Sequence, residues 1–161
     1  MPRIPEDFDD FVRAELPRLL RLARVLTRNE HDAWDITQEA LARVGARWKQ
    51  VDADGNPAAY ARKALVRLNL NRTRQLRREV LVRVAPDRPA VNGSTDSTDE
   101  LQRALSRLAP RQRTALVLRY YSDLSIADVA MLMDCSEGTV KSQVSRGLAL
   151  LREQLPTDSR N

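Results

Sequence analysis

Three carboxylates, Asp32, Asp35 and Glu39, follow one another at intervals of three and four residues, which places them along one side of a helix. Such a set could hold a divalent cation, and a metal-dependent nucleic-acid enzyme is the catalytic reading it allows. That reading needs a second carboxylate cluster or a group of histidines. The 161-residue chain has one histidine, His31, and one cysteine, Cys135, with no ligand spacing between them. Cys135 has no histidine near it in sequence to activate it and reads as a small hydrophobe in a turn. No enzyme activity, metal or cofactor is expected, and the polar residues suit recognition better than catalysis.

A different chemistry is carried by MLMDCSEGTVKSQVSRG, residues 131–147. Ser136 can cap a helix in which Val140, Val144, Leu148, Leu151 and Leu155 form an apolar rail. The other side of its first turns presents Glu137, Thr139, Lys141, Ser142, Gln143, Ser145 and Arg146. Short hydroxyls and amides reach base edges, the two cations reach phosphates, and nothing bulky and apolar stands in front. Just ahead, Ser125 and Asp128 have the spacing of a capping box, and Ile126, Val129, Ala130 and Met133 make one buried stripe. Asp134, Cys135 and Ser136 leave a three-residue break. Two helices on such a turn form a helix-turn-helix, whose second helix enters the major groove with its N-terminal part.

A second polyanion site is suggested by charge. The chain carries 27 Lys and Arg against 22 Asp and Glu, a net +5. Residues 60–83 hold eight basic groups and one acid, Glu79, so that +7 sits there and the rest of the chain sums to −2. Arg72, Arg74, Arg77 and Arg78 in this run are expected to act on phosphates.

The elements that must position these residues are helical. Leu, Ala and Arg dominate, glycine occurs five times, aromatics are 4%, and no long Val/Ile/Thr alternation is present. Periodicity predicts a helix over 5–27, a second from an Asn29 cap to Trp48, a loop at DADGNP (52–57), and a third helix over 58–84. Residues 85–99, APDRPAVNGSTDSTD, cannot bury much and read as a flexible linker. Leu101, Leu105 and Leu108 mark a short helix, and Pro110 can open another to Tyr121. The expected fold is all-α, two small helical domains divided as 1–84, linker 85–98 and 99–161. The first apolar run, 19–26, is broken by arginines, so no signal peptide or membrane span is expected and the expected location is cytoplasmic.

LAPRQRTALVLRYYSDLSIADVAMLMDCSEGTVKSQVSRGLALLRE resembles region 4 of bacterial sigma factors of the extracytoplasmic-function (ECF) type. Asp128 replaces the usual Glu, and Asp134 stands where glycine is common, which implies slight strain if that turn is left-handed. The resemblance implies that Ser136, Glu137, Thr139, Lys141, Ser142, Gln143 and Arg146 read a −35 promoter element. HDAWDITQEALARV resembles region 2.2, which implies that Asp35, Gln38 and Glu39 dock on the β′ clamp helices of core RNA polymerase. Trp34 departs from the usual Glu or Ala there and borders the core, so it is expected to pack. NPAAYARKALVRLNLNRTRQLRRE resembles regions 2.3 and 2.4, which capture and open the −10 element. Trp48, Asn56, Tyr60, Arg62, Lys63, Arg67, Asn71 and Arg74 are the implied −10 residues, and Arg67 stands where the family commonly has Asn. Trp48 also reads as a core anchor. The implied partners are core polymerase, through β′ and the β flap, and promoter DNA; an anti-sigma factor is left open. The rival to this reading is a free-standing helix-turn-helix repressor.

Overall fold

The computed structural model describes residues 6–82 and 97–155, and every regular element among them is helical. Residues 85–96 of the expected linker lie outside the described residues, as do Pro5, Arg83 and Val84. The last two linker residues, Ser97 and Thr98, already belong to a helix. The chain forms two compact units that meet in sequence between Arg72 and Thr73.

The first unit is built on α1 (Glu6–Thr27), α2 (Glu30–Ala46), α3 (Trp48–Ala53) and the first part of α4 (Pro57–Val82). Its core is the apolar stripes of three helices: Leu19, Leu22, Ala23 and Leu26 from α1, Ala33, Ile36, Ala40 and Val44 from α2, and Ala61, Leu65 and Val66 from α4 are all buried. The α1–α2 corner forms as its residue types dictate. The Thr27 hydroxyl donates to the Ala23 carbonyl (2.8 Å), and the Asn29 side chain caps α2 by accepting from the Asp32 N–H (3.1 Å). Phe8 and Phe11 pack their rings against Trp48 at 5.3 and 5.2 Å between centroids.

Two details depart from the sequence reading. The chain breaks at Arg47 and starts a six-residue helix, α3, that takes in Asp52 and Ala53. The expected loop at 52–57 therefore shrinks to Asp54, Gly55 and Asn56, where Gly55 holds φ +86°, a value that suits only a residue without Cβ. Asn56 then caps α4 by accepting from the Ala59 N–H (3.1 Å).

The second unit contains α5 (Ser97–Ser106), α6 (Pro110–Leu116), a π-helical turn (Val117–Tyr121), α7 (Ile126–Met133) and α8 (Glu137–Gln154). Pro110 opens α6 as expected. The expected single helix over 110–121 widens in its last five residues, where the Ser122 N–H bonds back to the Val117 carbonyl at 3.0 Å. The Arg119 guanidinium donates to the Leu124 carbonyl (3.1 Å), tying the wide turn to the chain that follows it. Leu105, Leu108, Leu116, Leu118, Val129, Met133 and Val140 fill the core.

Candidate nucleic-acid interface

The helix-turn-helix forms at the expected residues. Ser125 caps α7 by accepting from the Asp128 N–H, and Ser136 caps α8 by accepting from the Thr139 N–H, each at 3.1 Å. Asp134 ends α7 in the left-handed conformation (φ 55°, ψ 51°), so the position that commonly holds glycine carries here a residue that adopts it at a small cost. Cys135, in the turn, is half-buried with a free thiol.

What fixes α8 is closer than the apolar rail suggests. Val140 and Gly147 are its buried residues, while Val144, Leu148, Leu151 and Leu155 are half-buried. A Cβ on Gly147 would sit 2.6 Å from Leu116 Cδ1, so α6 and α8 approach closely there and a larger residue would have to displace the Leu116 side chain. With that side pinned, Glu137, Gly138, Lys141, Ser142, Ser145 and Arg146 are exposed, and Thr139 and Gln143 are half-buried at the edges. The Ser136 and Thr139 hydroxyls bond each other (2.9 Å) in addition to the cap, so both are partly committed within the chain. Gly138 was absent from the expected set. A Cβ there would meet nothing closer than Ser136 Oγ at 3.8 Å, so packing within the chain does not demand glycine. It leaves the front of the first turn flat.

On α4 the structure sorts the expected residues into two groups. Asn56, Tyr60, Lys63, Arg67 and Asn71 follow at spacings of four, three, four and four, and the same spacing continues along the helix to Arg74 and Arg78. At about 100° per residue all seven fall within a stripe about 80° wide. Asn56, Arg67, Asn71, Arg74 and Arg78 are exposed, and Tyr60 and Lys63 half-buried. Lys63, Arg67 and Arg74 form no ion pair among the described residues. Arg62 lies about 120° away from Asn56 around the helix and does not join them.

Two expectations for the basic run need correction. Trp48, counted as a stacking partner for a stranded base, is 7% exposed and is held in the Phe8 and Phe11 cluster, so its core-anchor reading is the one the packing favours. Arg72, counted among phosphate contacts, turns toward α2. Its guanidinium donates to the Asp32 carbonyl (3.3 Å) and the Asp35 carboxylate (3.2 Å) and lies 3.7 Å from the Asp32 carboxylate. Arg77's side chain and Arg83 fall outside the described set.

The same pair redefines the acidic face of α2. Asp35 is half-buried between Arg72 and His31 (3.4 Å), whereas Gln38 and Glu39 are exposed, with Glu39 pairing only along its own helix to Arg43 at 3.1 Å. The three carboxylates do not converge, and among the described residues no group of three His, Cys, Asp or Glu side chains could hold a metal ion. Trp34, expected to pack, is 38% exposed. Its neighbour Glu30 accepts a bidentate pair of bonds from Arg24 (2.7–3.1 Å), which hold the Glu30 carboxyl below the usual carboxylate range. Arg28, in the left-handed region at φ 59°, is lowered from the usual guanidinium range by burial.

Comparison with known proteins meets this geometry unit by unit. Residues 11–79 match the family model for Sigma-70 region 2, and residues 98–151 the model for Sigma-70, region 4. The chain is 36% identical over 153 residues to the RNA polymerase sigma-E factor of Streptomyces coelicolor, covering 92% of this chain and 86% of the relative. The chain belongs to the sigma-70 family, among its ECF sigma factors. It is 30% identical to the ECF RNA polymerase sigma factor SigM of Mycobacterium tuberculosis, over 92% of this chain and 76% of that one. Among solved structures, the sigma factor RpoE of Bartonella quintana, crystallised with the anti-sigma factor NepR, aligns with a TM-score of 0.75 at 29% identity, over 96% of this chain and 99% of that one. Region 2 thus takes in the α2 face and the α4 stripe, region 4 the helix-turn-helix, and the family is one of initiation factors rather than enzymes. Among the described residues no helix is long and apolar enough to cross a membrane.

Proposed function

We propose that this ECF sigma factor binds core RNA polymerase and gives it promoter specificity, with region 2 in residues 1–84, a linker over 85–98 and region 4 in 99–161. The α2 face of Gln38 and Glu39, with Asp35 at its edge, docks on the β′ clamp helices, and region 4 meets the β flap. The α4 stripe captures and opens the −10 element: Tyr60 offers a ring to an unstacked base, Asn56 and Asn71 offer amides, and Lys63, Arg67 and Arg74 track the backbone. The start of α8 reads the −35 element, with Lys141, Ser142 and Arg146 foremost and Glu137, Thr139 and Gln143 at the sides. An anti-sigma factor is a further partner in this reading, as the solved RpoE relative carries one.

The observation that carries the proposal is the α4 stripe, a row of polar and cationic side chains without ion-pair partners among the described residues, in the same chain as a helix-turn-helix. A repressor would use the second feature and leave the first without a task. Added to core polymerase and candidate promoters, the chain should start transcripts at defined sites. Neutralising Arg67 and Arg74 together should reduce the salt dependence of promoter binding by about one unit of log–log slope per lost phosphate contact. Transcription with no defined start, or an unchanged slope, would contradict the assignment.

A further inference from the structure

On the inward side of α4, Ala61, Leu65 and Leu68 are buried, at spacings of four and three residues. Four residues on, the same line reaches Arg72, which stands about 100° around the helix from Asn71 and so outside the exposed stripe. An apolar residue there would only lengthen the packed side. Arg72 instead sends its guanidinium to the first turns of α2. One nitrogen donates to the Asp32 carbonyl at 3.3 Å and another to the Asp35 carboxylate at 3.2 Å, with the Asp32 carboxylate 3.7 Å away. A single planar fork thus holds two acceptors one turn apart on another helix. Arg72 is also the last residue of the first compact unit, and α4 runs on from it to Val82. Arg74 and Arg78, the exposed cations at the end of the stripe, lie past that point.

We propose that Arg72 is a positioning residue for capture of the −10 element. It pins α4 to α2 at the point where the helix leaves the first unit, and so sets the line along which Arg74 and Arg78 meet the backbone of the strand. The inference rests on the reading of α4 as the −10 helix and extends it. Arg72 points off the stripe and two of its three nitrogens are engaged on α2, so it is itself badly placed to hold a phosphate. Without the fork, the packing that bears on this end of α4 falls back toward the buried Leu68 and Leu70. Lysine cannot replace it, because an ammonium is a compact point donor that does not reproduce the two-pronged geometry. Lysine does replace arginine as a cation beside a phosphate. One substitution therefore separates the two roles.

The test uses the full-length chain assembled with core polymerase and a fluorescently labelled single-stranded oligonucleotide that carries the −10 element of a promoter used by the holoenzyme. Arg72→Lys and Arg72→Ala should each bind it about fivefold more weakly than wild type, the upper end for an ion pair that solvent partly reaches. Helix content and affinity for core polymerase should be unchanged. Because Arg72 acts through the end of the stripe, Arg72→Lys should cost nothing further in a chain that already carries Arg74→Ala and Arg78→Ala. Wild-type affinity in Arg72→Lys overturns the inference: with a loss in Arg72→Ala the residue is a cation on a phosphate, and without one the clamp is idle. An equal penalty with and without Arg74 and Arg78 means that the contact merely supports the unit as a whole, and overturns it too. So does tighter binding of core polymerase by Arg72→Ala, since Arg72 would then be a screen over Asp35. If wild-type holoenzyme does not hold the oligonucleotide, the −10 reading of α4 falls, and the inference with it.

Discussion

The two units solve the same problem, holding a polar helix face outward, by opposite means. In the second, the caps and turn that set the helix ends are short-range in sequence, Ser125 with Asp128, Ser136 with Thr139 and Asp134 between them, and one longer-range contact, Gly147 against Leu116, sets the back of α8. In the first, the α2 and α4 faces are set by contacts that span much of the chain. Arg72 reaches Asp35 across 37 positions, and Trp48 is wedged against Phe8 and Phe11 at the other end of the unit. A recognition helix held by its own caps can be read from a short stretch of residues. One held by remote partners cannot, because charge and aromaticity do not say whether a side chain is turned inward or outward.

That contrast accounts for what was legible. The all-α class, the caps at Asn29, Ser125 and Ser136, the Pro110 start and the three-residue turn follow from local rules and stand in the structure. The outward faces of Lys141 and Arg146, and of Gln38 and Glu39, follow from helical period alone. Arg72 turns inward and Trp34 outward where the sequence suggested the reverse, and Trp48 takes the core-anchor place it also suggested; each is an amphipathic side chain near a core boundary, where residue type and period do not say which way it turns. The π turn before Ser122 carries no Gly or Pro signal inside the helical run, and the break at Arg47 is marked only by Gly45 two residues before it. Gly147 gives no sign of its role until Leu116 is placed against it.

The comparison can be broken most forcefully at Trp48. Trp48→Ala should destabilise the protein by about 3–5 kcal/mol, the range for emptying a large aromatic site, measured by chemical denaturation. Trp48→Phe should keep promoter opening by the holoenzyme. Loss of opening in a fully folded Trp48→Phe protein would return the indole to the DNA-binding set.

The local logic of the second unit is sharpened by a pair of changes with opposite signs. Ser136→Ala removes the α8 cap and should cost about 1 kcal/mol of stability. Gly138→Ala should instead stabilise α8 by about 0.5–1 kcal/mol, since nothing crowds the new methyl, while −35 affinity falls. A Gly138→Ala protein that is more stable and binds the promoter as before would mean that the flat first turn has no part in reading DNA.

The smallest effect concerns the exposed Arg24–Glu30 pair. Arg24 lowers the Glu30 pKa on folding, so the pair contributes stability above the ordinary carboxylate range and loses it as pH falls through the depressed value. Because both side chains are open to solvent the contribution is small. The melting-temperature difference between wild type and Glu30→Gln should shrink to nothing in acid. A difference that persists unchanged there would assign it to something other than the charge.

The central claim is that docking and reading are carried by separate helix faces of one initiation factor. Its most direct test measures core-polymerase binding and promoter binding in parallel for two double variants. Gln38→Ala with Glu39→Ala should abolish assembly with core polymerase at unchanged helix content. Lys141→Ala with Arg146→Ala should assemble normally and lose promoter affinity by about 1–3 kcal/mol for each lost contact. Tight, sequence-specific promoter binding by the isolated chain, unimproved by core polymerase and untouched by the first pair, would contradict the account and favour a free-standing repressor.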